Sequence, residues 1–429
     1  MEQQRKRASV PLLESTSSIG TASMAQTVGN IIVSVVGTGV LGLPFAFRSA
    51  GWLAGSIVVL VAGLSSCYCM LLLVQGCHEE VQCRRKLASE EESIEMKAYG
   101  DLGYKCMGRT GGYLAEFLIL ITQVGGSVAY LVFIGQNLSS IFKGQGLTLG
   151  SSIFLLVPIE IGLSWIGSLS ALAPFSIFAD CCNVLAMAIV VKDDIQQLVG
   201  SEFSFRDRAA ITSNIGGLSY AGGMAVFCFG GFGMTLALES SMKEKSTFPK
   251  LLAKTFTGIT LVYVLFGFSG YMAYGDQTKD IVILNLPHDW WAVAVQVGLC
   301  LGLIFTFPIM IHPIREIVEG SLDKSKWFQK LLCNSDYSTR ISKFAMYMSR
   351  AILVISLAFL ASYVPGFGIF ASLVGSTLCA LISFVLPTTF HLILFGGSLH
   401  FWQRALDFFI LSCGLLFAAY GTYNTVVGI

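Results

Sequence analysis

Apolar residues along the chain gather in blocks near 20 residues long, divided by short polar segments. That is the length a helix needs to cross the hydrocarbon core of a bilayer. Eleven blocks are predicted, at about 27–47, 52–75, 112–142, 150–167, 173–192, 216–239, 252–274, 290–313, 348–364, 367–393 and 404–427. The third is long for one crossing and is expected to tilt or to project beyond the bilayer. Residues 1–25 are polar and predict a disordered cytosolic tail rather than a signal peptide. Residues 26–429 predict a single transmembrane domain: helices 1–5 over about 27–192, helices 6–10 over about 216–393, and helix 11 over about 404–427.

Two blocks are interrupted at their middle. The first carries "GTGVLGLPFAF" from Gly37 and the sixth "FCFGGFGMTLALES" from Phe227. Glycine costs a helix interior roughly 1 kcal/mol relative to alanine, and proline about 3. Bare backbone groups are not tolerated in hydrocarbon, so an unwound stretch survives where it lines a cavity or meets a ligand. If helices 1–5 and 6–10 are two repeats, the interruptions fall at matching places. Five spans is an odd number, so the second repeat enters from the opposite side. Paired interruptions in inverted repeats point to a transporter binding site. Freed amides suit a carboxylate and freed carbonyls suit an ammonium group. A zwitterionic amino acid presents both. Pro44, just past the first gap, fits the first turn of the resumed half-helix. The competing reading is that these glycines only let helices pack closely.

Composition narrows the class. Hydrophobic residues make up 54% and charged residues 12%, against ~25% charged in a soluble domain. A soluble enzyme is excluded, and a net charge of +1 suggests no nucleic-acid partner. Of 27 lysines and arginines, only Arg48, Lys143, Lys192, Arg206, Arg208 and Lys279 fall on the side opposite the N-terminus. This asymmetry predicts a cytosolic N-terminus and a non-cytosolic C-terminus. The 12 cysteines lie mostly inside apolar blocks, with neither zinc nor disulfide spacing. No metal or cofactor is expected.

Ionisable residues within spans are costly and are functional candidates by default. Asp180 in span five either titrates a proton or bridges helices by hydrogen bonds. Glu160 in span four is a second ion-coupling candidate, or a carboxylate that is satisfied by partners or snorkels to the interface. Glu239, ending span six, is a candidate cytosolic gate latch, or a solvated helix end. Tyr130 in span three either leans over a substrate or packs between helices. The histidines form no metal or catalytic constellation.

The stretches "TVGNIIVSVVGTGVLGLPFAFRSAGW", "LAPFSIFAD" from Leu172 and "FTFPIMIHPI" from Phe305 resemble the amino acid/auxin permease family, from about residue 25 to the C-terminus. The look is closest to plant vacuolar transporters of neutral amino acids. The resemblance implies an all-α membrane protein of eleven helices, a LeuT-like 5+5 inverted repeat plus one helix. It implies that Gly37, Thr38, Gly39, Val40 and Leu41 face substrate opposite Phe229, Gly230, Gly231 and Phe232. It further implies secondary transport by alternating access, usually proton-coupled. Sodium-coupled relatives carry an asparagine four residues before the first glycine and a threonine in helix eight. Here the first position is Val33, with Asn30 one turn earlier, although Thr306 matches the threonine. Protons are therefore expected over sodium.

The expectation is a transporter of small neutral amino acids in a vacuolar or other internal membrane, with the plasma membrane as alternative. Its rivals are an amino-acid sensor, disfavoured by the short tail, and a same-fold transporter for another substrate such as auxin. An intramembrane enzyme would need converging nucleophile, acid or metal ligands within spans, which are not found.

Overall fold

The computed structural model describes residues 21–427 apart from 88–98, 143–145, 167–168, 201–204, 213, 288 and 325–337. Most of the predicted tail lies outside the described residues.

The first block is a broken helix. α1 (Met24–Val35) opens on a capping box in which Ser23 and Gln26 exchange side-chain and backbone bonds. A 3₁₀ turn over Thr38–Gly42 follows, then α2 (Leu43–Ala50), and the pair is bent by 47°. α3 (Trp52–Leu87) and α4 (Tyr99–Ile141) are continuous. At 43 residues, α4 is longer than one crossing needs. It kinks at Gly108 (φ 69°, ψ −154°), which separates its first turns from the spanning part. α5 (Leu149–Ser164), α6 (Leu169–Val199), α7 (Ile215–Cys228) and α8 (Phe232–Ser241) come next, the last two being halves of the sixth block. α9 (Phe248–Tyr274), α10 (Trp290–Lys324), α11 (Ser338–Ser362), α12 (Phe367–Phe395) and α13 (Phe401–Val427) complete the chain.

Among the described residues, nine of these spans are long and apolar enough to cross a membrane, and the bent α1–α2 pair makes ten. Reaching eleven requires α5, which has only 16 residues. Among the described residues there is no β-strand; Ala22 and Met242 form an isolated parallel bridge.

The helices sort into two groups. α1/α2 and α7/α8 pack with α3 and α9, whereas α4, α5, α10 and α11 pack with one another. α6 bridges the groups through α9 and α10, and α12 does so through α7 and α4. α6 and α13 are only 17% buried, so they form the outer, lipid-facing wall. Inside, a continuous apolar core runs through both broken helices, with Val40, Leu41 and Phe229 at 0% exposure.

Candidate functional site

Each break follows from its residues. Val36 still donates to the Ile32 carbonyl at 2.7 Å, but its ψ of 90° turns the chain out of the helix. Gly37 is extended, and Pro44 stands in the first turn of α2, where a missing N–H costs nothing. In the sixth block, α7 ends at Cys228 and Gly231 takes φ +140°, a left-handed conformation that favours glycine.

The two breaks meet. A Cβ added at Gly39 would stand 3.2 Å from the Cys228 sulfur and 3.2 Å from the Phe227 ring. One added at Gly231 would stand 3.4 Å from the Ser34 carbonyl oxygen and 3.4 Å from a Val35 methyl. Each glycine therefore admits the other helix. Tyr263 of α9, fully buried, ties them together: its hydroxyl is 3.1 Å from the Val35 carbonyl oxygen and 3.4 Å from that of Cys228. These are the last residues of the two first half-helices. Tyr263 was not singled out in the sequence. A hydroxyl-bearing residue in the middle of an apolar span was the available signal, because a buried tyrosine needs a partner.

Thr38, Val40 and Leu41 are buried in the first break, and Phe229 and Phe232 in the second. The Phe229 ring packs on Phe256 and Tyr263, with centroids 6.0 and 5.1 Å away. Around Gly37 and Gly233, by contrast, a Cβ would meet nothing within 4 Å. Gly230 is half-buried beside the Phe227 carbonyl. Between α1 and α8, beside Gly231, residues Ser34, Val35, Thr235, Leu238, Met70 and Phe256 line a void of about 10 Å³, room for one water molecule. A wider void of about 230 Å³ lies elsewhere, in an outward-facing groove between α3 and α9 lined by Leu64, Tyr68 and Thr260.

The ion-coupling candidates are spread more widely. Tyr130 on α4 lies within electrostatic reach of Asp180 on α6, and both are half-buried. Glu160 is 0% exposed, and neither carboxyl oxygen has a hydrogen-bond partner among the described residues. Its helix, α5, packs chiefly on α11 and α4, away from the breaks. The Thr306 hydroxyl donates within its own helix, 3.0 Å from the Gly302 carbonyl. Asn30 and Val33 occupy the exposed face of α1. Glu239 is buried at the end of α8, beside the bridge in which Ala22 donates to the Ser241 carbonyl at 3.0 Å.

The side opposite the α1 start is closed. Segment 278–286 lies across it, with Ile281, Val282 and Ile283 at 0% exposure. Arg48 donates to the Thr278 carbonyl at 2.8 Å. The Gln136 amide donates to Asp280 at 2.9 Å and accepts from the Phe367 N–H at 2.9 Å, fastening the segment to α4 and α12. Among the described residues, no cluster of three or more His, Cys, Asp or Glu could hold a metal ion.

The profile of the family described as transmembrane amino acid transporter protein matches residues 20–427. The chain belongs to that family. Amino acid transporter ANT1 of Arabidopsis thaliana is 62% identical, covering 98% of this chain and 97% of its own. Amino acid transporter AVT3B of the same plant is 36% identical over 100% and 98%. Vacuolar amino acid transporter 3 of Schizosaccharomyces pombe is 28% identical, covering 95% of this chain and 58% of its own. Among solved structures, the inward-facing conformation of Mhp1 superimposes with a TM-score of 0.60 at 11% identity, over 95% and 90% of the two chains. MhsT in complex with L-phenylalanine gives 0.51 at 13% identity, over 95% and 100%. The expected all-α, LeuT-like fold is therefore the observed one. The named relatives are transporters, so a transmembrane amino acid transporter, rather than an enzyme, is what the two meeting broken helices belong to.

Proposed function

We propose that this transporter moves small neutral amino acids by alternating access, coupled to protons, across a vacuolar or related internal membrane, with its N-terminus cytosolic. The observation that carries the proposal is the meeting of the two breaks. Gly39 lies against Cys228 and Phe227, Gly231 lies against Ser34 and Val35, and Tyr263 bonds both half-helix ends. The backbone around Gly37, Thr38, Gly39, Val40 and Leu41, opposite Phe229, Gly230, Gly231 and Phe232, is the proposed cradle. Tyr130 is its proposed neighbour from α4.

Neutral substrates are supported by the proposed cradle itself, residues 37–41 and 229–232, and by the void beside Gly231, neither of which holds a charged side chain. Protons over sodium are supported by Val33, which offers no amide oxygen, and by Thr306, whose hydroxyl bonds its own helix. The vacuolar membrane is supported by the name of the fission-yeast relative.

The test is uptake of labelled neutral amino acids into proteoliposomes under imposed pH or sodium gradients. Stimulation by the pH gradient alone is expected. Dependence on sodium alone would overturn the proton assignment, and no uptake under either gradient would overturn the transport assignment.

A further inference from the structure

His391 and Asp407 sit 16 residues apart across the α12–α13 hairpin, and neither belongs to the broken-helix cradle. Their side chains meet at 2.7 Å, His391 Nδ1 to Asp407 Oδ2, at 3% and 0% side-chain exposure. The second carboxylate oxygen accepts from the Tyr68 hydroxyl of α3 at 2.8 Å. Three ionisable side chains from three helices therefore converge inside the protein. A buried charge is tolerated when it is paired and hydrogen-bonded. Asp407 meets that condition: both its oxygens are used.

His391 does not. Its second nitrogen, Nε2, is buried and has no partner among the described residues. With Nδ1–H donating to Asp407, Nε2 carries a free lone pair. The site then holds one net negative charge, and a proton arriving at Nε2 brings it to zero. His391 lies one turn from the C-terminus of α12, where a positive charge is favoured. Among the described residues, Cys69 of α3 also faces Asp407, and Tyr99 of α4 lies beside Cys69 and packs on Phe390; both are neutral in their ordinary forms. Cys106 of α4 contacts the Phe390 carbonyl beside it. Arg404, three residues before Asp407, donates instead to the Gly396 carbonyl, and His400 is exposed.

A mechanical connection leads from this pair to the breaks. Between Phe367 and His391, α12 widens into π-helix over Gly375–Cys379 and again over Leu381–Val385. Such turns mark functional sites more often than ordinary helix does. The first of them lies on α7: a Cβ at Gly375 would fall 1.8 Å from the Gly223 carbonyl oxygen and 3.0 Å from the Phe227 Cβ. One end of the irregular stretch thus abuts the helix that ends at the second break. The other end leads into the turn bearing His391.

The geometry points to the Tyr68–Asp407–His391 triad as the proton-binding site of the transport cycle, taking one proton at His391 Nε2 and releasing it on the other side of the cycle. This rests on the proton-coupled reading above. The probe is purified full-length protein in liposomes holding a trapped pH-sensitive dye, with a labelled neutral amino acid as substrate. Two quantities are read: proton movement driven by the amino acid, and exchange of labelled for unlabelled amino acid with no gradient. With one proton per substrate, a one-unit pH gradient supports up to about tenfold accumulation. His391→Gln keeps a donor toward Asp407 but cannot take the proton. It and Asp407→Asn are expected to retain exchange while losing the proton signal and the tenfold accumulation.

Wild-type protein that exchanges amino acids without moving protons would overturn the proton reading, and the triad with it. A coupled wild type whose His391→Gln form stays coupled with an unchanged pH profile would overturn the triad alone. Loss of exchange together with coupling in both variants would assign the pair a structural role and overturn the proposal as well.

Discussion

A Cβ placed on Gly37 meets open space, and the backbone there, at φ −108° and ψ −172°, suits any residue. Gly231 holds φ +140°, where a side chain is strained, at a cost of about 1–3 kcal/mol. The two glycines thus separate folding from function. Gly37→Ala is expected to leave thermal unfolding of the purified protein unchanged while lowering amino acid uptake about tenfold, because the methyl occupies the space a substrate would enter. Gly231→Ala is expected to lower the unfolding temperature itself. Equal stability of the two variants, measured side by side, would contradict this assignment. Tyr263→Phe removes one hydroxyl and strands the Cys228 carbonyl, whose bond from it is 3.4 Å. Leaving a buried acceptor unmet costs about 1–3 kcal/mol, to be read in the same unfolding assay. The glycines were legible because two breaks in one chain repeat a single pattern. Tyr263 was not, because its value lies in reaching two carbonyls 35 and 228 residues away.

At the level of helices, a helix stands where hydropathy placed each block, nine or ten of them long and apolar enough to span among the described residues, but several ends were misplaced. Span five was expected to stop near 192, where Asp193 and Asp194 follow. The helix continues to Val199, and Asp194 is fully buried. α9 supplies the reason: Ser269 donates to Asp194 at 2.9 Å, and the Tyr274 hydroxyl donates to Asp193. Partners on another helix do not show in a local average. The His391–Asp407 contact escaped for a similar reason, since no spacing rule joins a helix end to the next helix across a hairpin.

The end of α5 is held in the same non-local way. Arg315 and Arg350 reach the Ser164 carbonyl at 3.5 and 3.4 Å, and Glu319 joins Arg350 at 2.6 Å. Arg350 is buried and Glu319 partly so, and removing one partner of a fully buried ion pair costs about 3–5 kcal/mol, so Glu319→Gln should cost part of that and reduce the yield of monodisperse protein. Size-exclusion profiles of wild type and variant decide it. Gly375→Ala should act likewise through α12, since its Cβ would overlap the Gly223 carbonyl.

For the molecule as a whole, the two sides differ. Segment 278–286 seals one, while the face of α1 bearing Asn30, Val33 and Gly37 is exposed toward the other. A cysteine at Asn30 should therefore react with a membrane-impermeant thiol reagent applied on the N-terminal side. A cysteine at Val282 should resist the reagent applied opposite, each measured above the background of the native cysteines. Rapid labelling of Val282→Cys would show that the seal opens at rest. None of this asymmetry was legible from composition, because both sides are built from equally apolar residues and differ only in how they pack.

The void between α1 and α8, about 10 Å³, sets how the resting protein insulates the membrane. Protons hop along files of hydrogen-bonded water, and a file needs several molecules in a row. A chamber for one, walled by Val35, Met70 and Phe256, breaks that conductor. An idle transporter of this build would therefore not short-circuit the gradient that drives it, so its density in the membrane could rise without raising passive leak.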